Sequence, residues 1–529
     1  MSDVAEIAER LGELEKRFAT AEHERDEYRR LYLEMMERCR KLELGLLGSK
    51  SEHLPKDDSQ LSLDVLSMML GERQRAELDA ALAAADEEQE VRGHVRRKPT
   101  GRKPIPEHLP RVEIQIVPRE VEREGLDAFD RIGEEISEVL ERRPASLVVA
   151  RIVRGKFVRK DRDREATEVL IGEPLDLPIL KGLAGPGMLA DTIVKRWQDH
   201  LPLHRLEDVY SRDGLDLARS TMCGWHAELA TLAKPLVSAM RADAFEQPYL
   251  CVDATGVLVQ NAEKCRTGHF WVVVAPERHV LFEYTPEHSG SAVDDVLAGF
   301  RGYLVADAHT VYDHLYVDGD VVEVNCWAHA RRYFFKALGS DPERAKIPLG
   351  LIGALFRIER TLANSPRKKR EAIRQKRSAP IVSRFFSWCD AEAPLVLDDT
   401  PISDGIRYAR NQRVGLSRFL EDGRLPIHNN WSELELRRQA VGRKNWLFVG
   451  HDEAGAVNAT FTSLLASCRL CDVEPWAYLR DVLCLLPAWP EHRLLELSPV
   501  EWKITRDSNE VRNLLEQNPI RRLTLAPDP

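Results

Sequence analysis

The stretch Tyr249-Leu-Cys-Val-Asp253-Ala-Thr-Gly-Val-Leu-Val259 decides how the rest of the sequence is interpreted. It is a short apolar run, typical of a β-strand, and it carries one acidic residue, Asp253, in its middle. A second run, Tyr303-Leu-Val-Ala-Asp307-Ala-His309, ends in another carboxylate. An acidic side chain inside a strand-like apolar segment costs free energy unless something pairs with it. The two acids therefore predict a site where carboxylates bind divalent metal ions.

A third acid, Glu433, lies in His428-Asn-Asn-Trp-Ser-Glu433-Leu-Glu-Leu-Arg437, which reads as the first turns of a helix. Two metal ions held between three carboxylates are what phosphoryl transfer on DNA uses. For each acid the alternative is an ordinary paired or partly exposed carboxylate. Glu433 has Glu435 nearby and could form an i,i+4 salt bridge with Arg437.

The segments between the acids follow the order of a ribonuclease-H-like fold: three antiparallel strands, a helix, a strand, a short helix, a strand and a helix. In that fold the first acid lies on the first strand, the second at the end of the fourth, and the third on a later helix. Ser289 or Ser291 is a plausible N-cap for the first helix. The predicted segments are strands at 270–275, 279–284 and 321–326, a helix at 291–300 and a helix beginning near Trp327.

These residues and several longer motifs resemble bacterial transposases of the insertion-sequence sixty-six family. The resemblance covers nearly the whole chain, and its motifs occur in the expected order. They are Gly182-Leu-Ala-Gly-Pro-Gly187, Asp199-His-Leu-Pro-Leu203, Asp253-Ala-Thr, Cys326-Trp-Ala-His-Ala-Arg-Arg332-Tyr-Phe334, Asn429-Asn-Trp-Ser-Glu433 and Gly442-Arg-Lys-Asn-Trp-Leu-Phe448.

The resemblance implies a DNA transposase of the DDE type, with Asp253, Asp307 and Glu433 as catalytic residues and metal ligands. We expect two Mg²⁺ (or Mn²⁺) ions, with Asp253 bridging them. Water would free a 3′-hydroxyl at the element's end, and that hydroxyl would attack target DNA. The expected partners are the terminal inverted repeats, target DNA, further copies of the chain and companion proteins of the same element.

The sequence departs from its relatives at several places. Relatives carry paired Cys-x-x-Cys zinc ligands in the region after the linker, but no cysteine lies between Cys39 and Cys223 here, so we expect no structural zinc. Relatives usually have acids where Ala254 and His428 stand, and a basic residue where Leu434 follows the catalytic glutamate. These departures remove no predicted metal ligand, but they leave a weakened enzyme as an alternative.

Length and composition restrict the class of protein. A chain of 529 residues exceeds the usual size of one hydrophobic core, so several domains are expected. No run of eighteen apolar residues and no signal peptide is present, which predicts a protein without a membrane span. The resemblance implies a cytoplasmic, nucleoid-associated protein without a membrane partner. Nine cysteines in so long a chain do not indicate a disulfide framework. The net charge of −10 argues against a simple DNA-coating protein, so local charge matters more.

The predicted fold class is multidomain α+β. It comprises an N-terminal coiled coil, a small β-rich domain, a helix-turn-helix and a ribonuclease-H-like α/β catalytic core with a helical insertion. The expected boundaries are 1–48 for the coiled coil, 49–104 for a helical segment and basic linker, 105–180 for the β-rich domain without zinc ligands, 181–240 for the helix-turn-helix, 241–460 for the core with its insertion at about 341–425, and 461–529 for a C-terminal helical region and tail.

The N-terminal part suggests two interactions. The apolar spacing within residues 4–47 predicts a coiled coil that joins protomers, and the alternative is a single helix packed on its own protein. The linker is basic and resembles an arm for the DNA minor groove, although a solvated linker explains it equally well. Its candidate DNA contacts are Arg96, Arg97, Lys98, Arg102 and Lys103.

Candidate DNA contacts also occur in the helix-turn-helix, where Arg219, Ser220, Thr221 and His226 would face a groove. A plain structural three-helix unit is the alternative. The interval of 126 residues between Asp307 and Glu433 exceeds the roughly 40 that the fold needs. The excess carries a basic run that could follow a DNA backbone or form a solvated helix face. The remaining candidates are His329, Arg331, Arg332, Arg367, Lys368, Lys369, Arg370, Arg437, Arg443 and Lys444.

Three functions fit these features. The first is a transposase acting as a coiled-coil-linked multimer. The second is a regulatory or architectural DNA-binding protein that kept the fold but lost turnover. The third is a stand-alone nuclease, which would not explain the helix-turn-helix or the coiled coil. His329 and Arg332 could contact phosphate or only pack, and Asn429 and Asn430 could cap the Glu433 helix.

Overall fold

A computed structural model describes residues 105–525 except 106, 108, 144–145, 161–168, 181 and 262–263. The predicted coiled coil and basic linker lie outside the described residues. The described chain forms a mixed α/β protein with two compact units. The larger contains residues 104–328, 365–371 and 414–529, and the described part of the smaller contains 329–364 and 372–413. Within the described residues, no helix has the length and apolar character needed to span a membrane.

The larger unit begins with a four-stranded sheet built from β1 (Arg111–Ile116), β2 (Phe129–Arg143), β3 (Ser146–Arg159) and β4 (Leu170–Ile171). Helix α1 (Arg119–Glu124) connects β1 to β2. Strand β3 is central, because it pairs in parallel with β1 and antiparallel with β2 and β4. The alternating residues 147–158 of the sequence are therefore one long strand.

Three helices follow this sheet. Helix α2 (Pro186–Ile193) continues into a π-helical turn at Val194–Gln198, and α3 (Leu203–Arg212) precedes the 27-residue α4 (Arg219–Phe245). Apolar side chains form the interior of this three-helix segment. Those that are fully buried are Leu189, Ile193, Leu206, Tyr210, Met222 and Leu229.

The second sheet contains β5 (Tyr249–Val259), β6 (Arg266–Ala275), β7 (His279–Thr285), β8 (Gly302–Ala306), β9 (Val321–Asn325) and the short β10 (Phe448–Val449). Its order is β7-β6-β5-β8-β9, and β10 pairs with the end of β5. The first three strands are antiparallel, whereas β8 and β9 run parallel to β5. Helix α5 (Gly290–Leu297) precedes β8, and the Ser289 hydroxyl caps it by accepting the Ala292 N–H at 3.3 Å.

The smaller unit is helical. Its interior contains aromatic rings, with the Phe334 ring 5.7 Å from that of Phe385 and 6.0 Å from that of Trp388. Helices α6 (Trp327–Ala337), α8 (Arg367–Ile373) and α11 (Arg413–Ser417) lie where the chain passes between the two units. The helices between them are α7 (Pro342–Thr361), α9 (Ala379–Glu392) and α10 (Pro401–Asn411).

Two helices of the C-terminal part pack on the second sheet. Helix α12 (Asn430–Trp446) contacts β5, and α13 (Asp452–Leu470) packs along β7. The Ser463 and Ser467 hydroxyls of α13 accept the N–H groups of Phe282 and Val280 on β7. The segment after Pro490 is also folded, because Leu497, Trp502 and Leu515 are buried. The remaining helices are α14 (Pro475–Leu485), α15 (Pro499–Asp507), α16 (Asn509–Gln517) and α17 (Pro519–Leu525).

Candidate active site

Strands β5 and β8 bring Asp253 and Asp307 to neighbouring positions. The strands are parallel, and Cys251 pairs with Val305 in their register. Each aspartate lies two residues beyond this last pair, with Asp307 directly after the end of β8, so the two occupy corresponding positions at this edge of the sheet. Adjacent strands lie about 4.8 Å apart, and residues two apart on a strand share a face. The sheet therefore presents two carboxylates side by side.

Glu433 lies in the first turn of α12, and the start of this helix is fixed beside β5. The buried Asn429 amide donates from Nδ2 to the Val252 carbonyl at 2.8 Å, one residue before Asp253. The Asn429 backbone N–H donates to the Cys326 sulfur at 3.1 Å. Asn429 thus joins the helix to the strand, rather than capping the helix through its side chain. Cys326 Sγ lies within 4.8 Å of a Glu433 carboxylate oxygen.

Arg443 makes a second connection between α12 and β5. Its Nη1 donates to the Gly256 carbonyl at 2.6 Å and to the Thr255 hydroxyl at 3.1 Å. The two connections lie on either side of Asp253 in the sequence of β5. Together they fix the helix that carries Glu433 against the strand that carries Asp253.

The pKa of a neighbouring tyrosine also indicates that the two aspartates lie close to each other. Tyr312 is buried, and burial raises the pKa of its phenol well above the ordinary value. The negative charges of Asp307 and Asp253 raise that pKa further, which requires both carboxylates to lie near the phenol. No motif in the sequence pointed to a role for Tyr312.

A row of rings borders Asp307. The His288 imidazole stacks on Trp271 with a centroid separation of 4.9 Å and meets the edge of His309 at 4.8 Å. Burial lowers the pKa of His288, and the neighbouring His309 lowers it further, whereas Asp307 raises it. His288 has no distinctive sequence motif, so only the fold reveals its position.

The donor set fits hard divalent ions such as Mg²⁺, which prefer oxygen ligands. Asp253, Asp307 and Glu433 are half-buried, and Oε1 of the Glu433 carboxylate is itself buried. Oδ1 of the buried Asn429 amide has no hydrogen-bond partner among the described residues and is a further oxygen at the start of α12. The soft Cys326 sulfur is already used as the acceptor for the Asn429 N–H.

The sequence model of the Transposase IS66 family matches residues 181–457, which is more than half of the chain. The chain belongs to the Transposase IS66 family. Two further models match, one described as Transposase C of IS166 homeodomain at residues 34–114 and one as IS66 C-terminal element at residues 463–500. The resemblance inferred from the motifs is therefore confirmed.

Relatives from Sinorhizobium fredii (strain NBRC 101917 / NGR234) match almost the full length of this IS66-family chain. The uncharacterized protein y4hP is 29% identical over 493 residues, which cover 88% of this chain and 87% of the relative. The uncharacterized protein y4jD is 27% identical over 502 residues, or 90% of this chain and 95% of the relative.

The segment that was predicted to be a helix-turn-helix exposes only some of its predicted DNA contacts. Arg219 and Ser220 are exposed and Thr221 is half-buried at the start of α4, and Arg219 Nε lies 3.2 Å from the Glu207 carboxylate. His226 is buried, and its Nε2 lies 3.1 Å from the Thr192 hydroxyl. The prediction that His226 faces a groove is therefore wrong, because this turn of α4 faces the interior.

The basic run at residues 367–370 contains two exposed lysines and two arginines that have partners within the protein. Lys368 and Lys369 are exposed, whereas Arg367 lies 2.9 Å from Glu371 and 3.0 Å from Asp422. Arg370 donates from Nη1 to the Gly423 carbonyl at 3.1 Å. Lys368 and Lys369 are thus more available to DNA than their arginine neighbours.

Two other residues that were predicted to contact DNA, Arg331 and Arg443, pack against or bind other parts of the protein. Arg331 is 7% exposed, with its guanidinium 5.7 Å from the Phe335 ring, so the prediction of an accessible DNA contact at Arg331 is wrong. His329 and Arg332 are half-buried on the same helix. Arg443 binds β5, whereas Arg437 and Lys444 on α12 are exposed.

Proposed function

We propose that this IS66-family protein is a DNA transposase that cleaves and joins DNA at the ends of its element. Asp253, Asp307 and Glu433 are its catalytic residues and hold two Mg²⁺ (or Mn²⁺) ions. The observation that carries the proposal is the register of β5 and β8, which sets the two aspartates side by side, with the Glu433 helix bound to the same strand.

The strand order supports a ribonuclease-H-like core. Three antiparallel strands are followed by two parallel strands, with the first acid on the first strand and the second directly after the fourth. The third acid lies on a later helix, after an interval that contains the helical unit. This is the order predicted from the sequence for that fold.

The residues have separate tasks in this reaction. Asp253, Asp307 and Glu433 would hold the metal ions, with Asp253 as the ligand that both ions share. Bound divalent ions supply activation of the attacking oxygen and stabilisation of charge on the phosphate and leaving group. Asn429 and Arg443 keep α12 aligned with β5. The exposed cations Arg219, Lys368, Lys369, Arg437 and Lys444 are the remaining described candidates for holding the DNA backbone.

The test is Mg²⁺-dependent cleavage and joining of DNA that carries the element's own ends, with companion proteins added. Asp307→Asn should reduce the rate by more than the roughly 10–100-fold typical of changes around a metal site, while DNA binding is retained. Asp318→Asn, an exposed aspartate in the loop before β9, is the matched control and should be as active as the wild type.

A DNA-binding regulator without turnover is the second candidate. The departures at Ala254, His428 and Leu434 favour it, and His428 Nδ1 accepts the Asn430 N–H at 3.3 Å instead of offering a carboxylate. Equal behaviour of wild type and Asp307→Asn in every assay, including repression or DNA bending, would overturn the enzyme proposal and leave this one.

A further inference from the structure

A small cavity lies where the helix-turn-helix meets α12 and α13. Its volume is about 10 Å³, which is the space of a single water-sized particle. The proposed catalytic function assigns no role to the residues that line it. They are Trp197, His200, Arg438, Gln439, Trp446, Asn458 and Thr462.

The hydrogen-bonding groups left over at this cavity are donors. Trp197 Nε1 and Arg438 Nη2 are buried without a hydrogen-bond partner among the described residues, and each side chain belongs to a residue only 9% exposed. The nearby oxygens are already engaged. Asn458 Oδ1 accepts from Gln439 Nε2 and from Thr462 Oγ1, both at 2.8 Å, and Gln439 Oε1 accepts from Asn458 Nδ2 at 3.2 Å.

The charge around the cavity is positive. Arg438 is neutralised by Glu435, whose carboxylate lies 2.6 Å from Nε. Arg196 lies with its guanidinium 4.3 Å from the Trp197 ring and 5.7 Å from the Trp446 ring. Its Nε and Nη1 are buried, and within the described residues they have no hydrogen-bond partner. One positive charge is therefore left without a counter-ion.

Arg196 is half-buried, and buried polar groups without a hydrogen-bond partner are unfavourable, so the donors at this cavity favour a compensating ligand. A water molecule must donate two hydrogens as well as accept, and the oxygens lining the cavity are largely occupied. An anion requires only donors. A monatomic anion is small enough for the cavity, accepts hydrogen bonds from its donors and balances the positive charge of Arg196.

We propose that this cavity binds one halide ion, held by Trp197 Nε1 and Arg438 Nη2 and neutralising Arg196. The ion would join three parts of the chain, because Trp197 follows α2, Arg438 lies on α12 and Asn458 lies on α13. It would stabilise the attachment of the helix-turn-helix to the helix that carries Glu433. The site is distinct from the three acids and does not depend on catalysis.

The first test compares thermal unfolding of the full chain in chloride and in gluconate at equal ionic strength and pH. Chloride should raise the melting temperature of the wild type by roughly 1–2 °C, because the shift for a given stabilisation becomes smaller as the folding unit becomes larger. Trp197→Phe removes one donor and should abolish the difference. Trp431→Phe, which changes an exposed indole on α12, is the matched control and should retain it.

Arg196→Met replaces the uncompensated charge with an apolar chain of similar length. It should raise the melting temperature in gluconate and remove the response to chloride. A second, direct measurement is anomalous diffraction from crystals grown in bromide, which should show a peak between Trp197 and Arg438. An ordered water at that place, or equal wild-type melting temperatures in the two salts, would overturn the proposal.

Discussion

Glu141 shows how the fold changes the chemistry of a single residue. It lies on β2 and is fully buried, and it accepts the N–H groups of Arg142 at 2.7 Å and of Met188, near the start of α2, at 2.8 Å. Burial raises the pKa of this carboxyl to about 8, even though the backbone donors act in the opposite direction. Glu141 is therefore protonated in the folded protein at neutral pH.

This pKa predicts that stability depends on pH in an unusual range. The unfolded chain releases the Glu141 proton near pH 4.5, whereas the folded chain keeps it until about pH 8. The folded state binds more protons between these values, so the free energy of unfolding should fall as pH rises from about 4.5 to 8, by on the order of a few kcal/mol in total.

Glu141→Gln should remove this dependence, because glutamine stays neutral at every pH. The measurement is urea unfolding at pH 5, 7 and 8.5 for wild type, Glu141→Gln and the exposed control Glu122→Gln. The Glu141 variant should gain stability relative to wild type as pH rises. Parallel pH profiles for all three proteins would contradict the prediction.

At the scale of secondary-structure elements, the most important feature is the attachment of α12 to β5 by side-chain hydrogen bonds. The Glu433 helix is attached to β5 at Val252 by Asn429 and at Thr255 and Gly256 by Arg443. These bonds flank Asp253, so they set the separation between two of the three acids. Partners around a metal site orient its ligands in this way.

Arg443→Met should therefore weaken metal use rather than DNA binding. We expect a roughly 10–100-fold slower cleavage and a higher Mg²⁺ concentration for half-maximal rate, because Glu433 is no longer held in position. Arg437→Met on the exposed face of α12 is the control, and it should lower DNA affinity without changing the Mg²⁺ requirement. Weaker DNA binding by Arg443→Met with normal Mg²⁺ dependence would restore the original prediction that Arg443 contacts DNA.

At the scale of the whole molecule, the heptad-like spacing near the N-terminus predicts assembly. Apolar residues at 7, 11, 14, 18, 28, 32 and 35 would form a seam between protomers. A transposase that joins two element ends needs at least two active sites in one complex, so we expect the full chain to be a multimer.

Leu11→Asp with Leu14→Asp should reduce that multimer to monomers, because charged residues in a seam lose their water without gaining a partner. Light scattering after size-exclusion chromatography measures the mass directly. The control, Glu13→Asp with Glu15→Asp, changes neighbouring positions while keeping their charge. A mass that is identical for all three proteins would show that the seam does not hold the protomers together.

The sequence by itself determined the central part of this protein. The apolar runs around Asp253 and Asp307 predicted two strands, which are β5 and β8, whereas the metal site that the two acids also predicted stays a prediction. Capping by Ser289, the helix that begins before Glu433 and the apolar interior of helices α2, α3 and α4 also depend on local residues. Local propensity and periodicity are properties of neighbouring residues, so a single sequence contains them.

The tertiary structure decided those features that depend on contacts between residues far apart in the sequence. The segment 129–143 is rich in charged residues and its spacing did not predict a strand, yet it is the long β2 because it pairs along β3. Arg443 and Arg331 were predicted to contact DNA, but packing gave Arg443 the β5 backbone as its partner and buried Arg331. The uncompensated charge of Arg196 likewise arises only where separate helices meet, because burial and pairing depend on contacts that sequence spacing does not specify.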